Sequence, residues 1–230
     1  MLDLKLFRIG QFGASVSIAF PVGMAIQAMS LILVFFLQGV MSLSPGETAA
    51  VLFVLPAVQL FDVLGGWASD KIGSGIPMLL GLTTFSAVFL TLFFRAPVLT
   101  IPELMFYMAI LGVGSIFTTT PLASMALGSL PRENLGVGAG LLHNFSHMGG
   151  LVAQGIAIAI LGIVLGQGVG LNRAFGGTDI LNQSSAMLGI QWIFLAALTY
   201  SLIALAFTLV LLLRGGGRKI SSSTAKSTAH

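Results

Sequence analysis

An acid and two histidines fall deep inside stretches of this chain that are otherwise apolar enough to cross a bilayer: Asp62, His143 and His147. A carboxylate at such a position is costly, so it either faces a cavity or partner with work to do, or pairs with a neighbouring helix or the nearby interface. Low-dielectric surroundings disfavour a charged carboxylate, which suits a group that takes up and releases protons. His143 and His147 are four residues apart and share one helix face. His143 is expected at about the depth of Asp62, so the two form a protonatable pair if their helices touch; otherwise the histidines bond across helices. The His-x-x-x-His spacing is a weak metal signal, because no Glu follows the first His and no third ligand is evident. Neither a metal site nor a cofactor is expected. The amides Gln27, Gln59, Asn144, Gln154 and Gln191 line a polar cavity or, the commoner fate, bond a neighbouring helix.

These residues must be positioned by membrane helices. Apolar residues make up 56% of the 230, charged residues 7%, and the mean hydropathy is +1.03, values that identify an all-α polytopic membrane protein. The spacing predicts six spans: Phe12 to Leu37, Pro45 to Ala68, Gly75 to Phe94, Pro102 to Leu127, Val137 to Gly166 and Ala186 to Leu213. Ser44, Pro45 and Glu47 read as a capping box opening the second span. Pro121 should kink the fourth, with the hydroxyls of Thr118, Thr119 and Thr120 taking up the backbone groups it frees. In the fifth, Gly136-x-x-x-Gly140 and Gly162-x-x-x-Gly166 predict close helix approach. Residues 1–11 form an interfacial segment rather than a cleaved signal, residues 12–213 the membrane domain, and residues 214–230 a basic, disordered tail.

An even number of spans puts both ends on one side. Lys5, Arg8, Lys71, Arg132, Arg214, Arg218, Lys219 and Lys226 lie on that side, and only Arg95 and Arg173 on the other, which predicts cytoplasmic termini. The net charge of +3 forms no basic stripe, so no nucleic-acid partner is expected. The absence of cysteine removes disulfides, thiolate metal sites and cysteine catalysis.

Gly66-x-x-x-Asp70-Lys71-x-Gly73, read as a short turn between the second and third spans, resembles the signature loop of the major facilitator superfamily, in motif and in position. Two basic residues usually follow the last glycine there; Ser74 and Gly75 stand here. Leu2 to Arg8, Leu43-Ser44-Pro45, Leu130-Pro131-Arg132-Glu133, Gly138 to Leu142 and Gly149-Gly150 are similar to the second half of the fourteen-span drug:proton antiporter branch. His143 and His147 depart from that branch's polar amides and basic residue. The resemblance implies six spans arranged as two inverted three-helix repeats, half of a transporter, whose missing half is a second six-span chain or another copy. It implies proton-coupled export of small molecules, possible only with that partner, in a bacterial inner membrane. It also implies that Asp70 faces the positive end of a helix dipole across the interface between halves.

Six spans also suit an intramembrane hydrolase of the rhomboid kind. That chemistry needs a serine in Gly-x-Ser-Gly and a histidine on the last span, whereas Ser15 precedes Val16 and the sixth span carries no histidine. An enzyme is therefore not expected. A non-transporting fragment or scaffold is the remaining alternative.

Overall fold

A computed structural model describes residues 10–165 and 183–213, which are helical apart from short turns, with no strand among them. The expectations for residues 1–9 of the interfacial segment and for the basic tail lie outside the described residues, as does most of the long loop expected over 167–185. Six helical spans are long and apolar enough to cross a membrane. Span one runs Gly10–Phe35 and continues through a π-helical turn, Phe36–Val40; span three is Gly75–Arg95, span four Ile101–Leu127, span five Leu135–Leu165 and span six Gln183–Leu213.

Span one is the hub. It packs on spans four, five and six, and Phe12, Val16, Ala19, Ala25, Ala28 and Leu33 along it are buried. Span three is held between spans four and six, and span two leans on span four. Buried Phe85, Phe89 and Leu92 of span three meet the core of the bundle here. The predicted cap of span two forms, and span four carries a second that the sequence reading did not name. The Ser44 amide donates to Glu47 Oε2 at 2.8 Å and the Glu47 amide donates back to Ser44 Oγ at 3.4 Å. At the start of span four the Thr100 amide donates to Glu103 Oε2 at 3.2 Å, and Arg95 pairs with the same carboxylate, closing the turn between spans three and four.

Span two differs most from expectation. It does not end at Ala68: its helix continues to Ile72, so Asp70 and Lys71 occupy the last helical turn and the link to span three shrinks to Gly73 and Ser74. Nothing in Ser69-Asp70-Lys71-Ile72 breaks a helix, and a lysine in the last turn favours the dipole. Gly73 ends it by taking φ 79°, a conformation that glycine adopts freely. Ser69 and Ser74 then pair their hydroxyls across the turn at 2.5 Å. Span two is also not one rod. It is built of Pro45–Leu52, Val54–Gln59 and Val63–Ile72, and between the last two the amides of Phe61, Asp62 and Leu64 bond three residues back rather than four.

The close helix contacts fall elsewhere than the glycine spacing predicts. A Cβ added at Gly136, Gly140 or Gly162 would meet open space. One added at Gly23 would overlap the Ser146 carbonyl, and one at Gly149 the carbonyl of Phe20, so the backbones of spans one and five touch there. The threonines likewise serve differently. Pro121 frees the carbonyl of Phe117, but Thr118 and Thr119 donate to the carbonyls of Gly114 and Ser115, four residues behind each, and Thr120 turns to another helix.

This packing separates two kinds of glycine. Gly149→Ala should destabilise the protein by about 1–3 kcal/mol, because two backbones must part, while Gly140→Ala should stay within about 0.5 kcal/mol. Reversible unfolding in detergent measures both, and equal effects would refute the contact.

Candidate functional site

The bend in span two is what presents Asp62. Its carboxylate accepts from the Thr120 hydroxyl of span four, Oγ1 to Oδ1 2.6 Å. One turn earlier Gln59 donates to Ser115 Oγ at 3.1 Å, and one turn later Gly65 lies against the Ile116 carbonyl. Spans two and four are therefore joined over three turns, with the acid in the middle. Asp62 lies ten residues before Ile72, about 15 Å along the helix at 1.5 Å per residue. The shorter distance expected from an end at Ala68, about 9 Å, is corrected by the longer helix.

Asp62 opens onto a cavity of about 390 Å³ between spans one, two, four and five. Thr119 and Thr120 flank it on one side, His143 and Ser146 stand on the other, and Ala19, Val22, Leu122 and Leu142 supply apolar wall. His143 is eight residues into span five, about 12 Å from its start, so the acid and the histidine sit at comparable depth on one cavity. No arginine or lysine lines it.

His143 is also the end of a polar chain. Its Nε2 lies 2.9 Å from Nε2 of His147, the rings meeting edge to face at 73°. Nδ1 of His147 is 3.4 Å from Nε2 of Gln27 on span one. Ser30 donates to the Gln27 backbone carbonyl at 3.0 Å. Room for the Gln27 side chain exists because Gly150 has none: a Cβ there would overlap it.

The remaining candidates divide. Gln27 joins the histidines, whereas Gln59 bonds a neighbouring helix, and Gln191 likewise donates to the Phe93 carbonyl at 3.3 Å. Asn144 is exposed and Gln154 half-buried on span five, and neither lines the Asp62 cavity. In the signature stretch Gly66 is half-buried beside the Thr120 methyl, Asp70 is exposed, and Lys71 Nζ stacks 4.2 Å from the centre of the Trp67 ring. Among the described residues, no group of three or more His, Asp or Glu converges on a point that would hold a metal.

Sequence reasoning gave Thr120 a backbone role beside Pro121 and did not place it on Asp62. A second, apolar cavity of about 460 Å³ is walled by Phe20, Met24, Phe145, Tyr200 and Phe207, which come from spans one, five and six.

No family model matches the chain. Over 171 residues it is 30% identical to the Multidrug resistance protein Stp of Mycobacterium tuberculosis, in strains CDC 1551 / Oshkosh and ATCC 25618 / H37Rv alike, an alignment covering 72% of this chain. The chain spans only 30% of the length of these relatives. It is an integral membrane protein and a distant homologue of a multidrug resistance protein.

The tie between spans two and four can be weighed directly. A double-mutant cycle on Gln59→Leu and Ser115→Ala should return a coupling of about 0.6 kcal/mol, the average for hydrogen bonds between membrane helices. A coupling indistinguishable from zero would remove Gln59 from the scaffold of the Asp62 site.

Proposed function

We propose that this chain is one six-span half of a secondary transporter of the major facilitator kind, exporting small, drug-like molecules in exchange for protons. The observation that carries the reading is the cavity on which Asp62 and His143 stand together in a chain similar to a multidrug resistance protein. A carboxylate and an imidazole in a water-accessible pocket at membrane depth change charge on protonation. That changes the cost of exposing the pocket to either side of the bilayer. The chain Gln27, His147, His143 extends this pair away from the cavity and gives the second imidazole a fixed partner.

One half does not provide alternating access, which in such transporters comes from rocking one half against the other around a midplane site. The exposed faces of spans two and five are where a second half fits. Only 11% of the apolar window of span two is buried, against 56% for span one, and Leu60, Val63, Leu64, Met148, Leu151 and Val152 are exposed. Asp70, exposed at the end of span two, then meets the positive end of a partner helix and stabilises one of the two conformations. In this reading spans one to three and four to six are inverted repeats, both termini are cytoplasmic and the membrane is a bacterial inner membrane.

Purification in mild detergent from the native host should yield a homodimer or a complex with a second six-span chain. A lone monomer favours a fragment or scaffold. With the complex in proteoliposomes, Asp62→Asn should abolish the dependence of drug efflux on an imposed proton gradient, and unchanged coupling would return Asp62 to a structural part. Asp70→Asn should lower the efflux rate without changing the amount of protein in the membrane; a normal rate would sink its role at the interface.

A further inference from the structure

The two histidines of span five stand in an arrangement that suits a hydrogen bond and a shared metal ion alike. Their Nε2 atoms are 2.9 Å apart. Two imidazole nitrogens bound at about 2.0–2.1 Å to one metal ion, at an angle between square and tetrahedral, are about 2.9–3.3 Å apart. The spacing of four residues holds both rings on one helix face, and the Gln27 amide lies 3.4 Å from the far nitrogen of His147, where a partner beyond a metal ligand would sit. We infer that His143 and His147 form a bidentate site for a borderline divalent ion of the Zn²⁺, Co²⁺ or Ni²⁺ class, which neutral imidazole suits.

The histidine spacing alone argued weakly for this, and no carboxylate joins the pair to make a closed structural site. The site is an open chelate, two protein ligands with the other positions left to water or to a ligand in the adjoining cavity. Both rings are exposed and His143 lines that cavity, so a hydrated ion has a path to it. Binding needs a lone pair on each Nε2, which puts the ring protons on Nδ1. The proton that bridges the two Nε2 atoms therefore moves to Nδ1 of the same ring through water, and none is lost from the neutral pair. Turning the Gln27 amide by half a rotation presents its Oε1 to His147 Nδ1–H, so Gln27 serves either tautomer. The inference stands on the histidine geometry and does not need the transport reading.

The test is Co²⁺ titration of the purified full-length chain in detergent, followed by the visible absorption of bound Co²⁺, with Zn²⁺ added to displace it. One Co²⁺ per chain is expected, with affinity falling at least tenfold in both His143→Asn and His147→Asn. His230→Ala removes the third histidine of the chain and should change nothing. Gln27→Leu leaves both ligands in place and should weaken binding about 10- to 100-fold, as loss of an outer partner does. No Co²⁺ binding by the wild type, unchanged binding in either histidine variant, or loss confined to His230→Ala would overturn the site. Unchanged affinity in Gln27→Leu would overturn its positioning by span one.

Discussion

The contact on which the rest of this structure depends is backbone against backbone, span one on span five at Gly23 and Gly149. In lipid there is little hydrophobic drive to bring two apolar helices together, so the attraction has to come from close atomic packing and interhelical bonds. Removing two side chains lets the helices meet at that range. His147 on span five then falls within reach of span one. Gln27 fits over Gly150 and reaches His147, His147 reaches His143, and His143 is delivered to the wall of the cavity that Asp62 enters from the opposite side. A wider separation would break the contact between Gln27 and His147 and leave the histidine pair without its tie to span one.

Span two follows a contrary logic. It contributes little to the core and exposes a run of large apolar side chains, yet it is pinned to span four by Gln59, Asp62 and Gly65 in succession. Its tighter winding around Leu60 to Asp62 costs hydrogen-bond quality, and short stretches of this kind mark hinges or strained sequence. Here the tightening is centred on the acid, and the acid is bonded to the residue before Pro121. Two irregularities on neighbouring helices thus meet at one hydrogen bond.

Much of this was legible in the sequence, because membrane helices announce themselves by length and hydropathy. The six spans, the capped start of span two and the shared depth of Asp62 and His143 follow from composition, capping chemistry and counting along a helix of known rise. What failed were inferences that depend on which face of a helix meets which neighbour. Gly136 and Gly140 have the spacing of a packing motif but face outward, whereas Gly23, isolated on its own span, makes the contact. Spacing gives periodicity on one helix; it does not give the rotation of that helix against another.

The Thr118-Thr119-Thr120-Pro121 run shows the same limit at the level of a single bond. A threonine hydroxyl reaches a carbonyl three or four residues back on its own helix, so only Thr120 was placed to satisfy the Phe117 carbonyl that Pro121 frees. Thr118 and Thr119 bond their own helix in this way, and Thr120 bonds Asp62 instead. The exchange is reasonable on energetic grounds, since a hydrogen bond to a charged acceptor is worth more than one to a neutral carbonyl. A carbonyl has two lone pairs and tolerates partial satisfaction, while a carboxylate at membrane depth without a donor is expensive. The hydroxyl beside the proline therefore serves the costlier group, where span four faces the bend in span two.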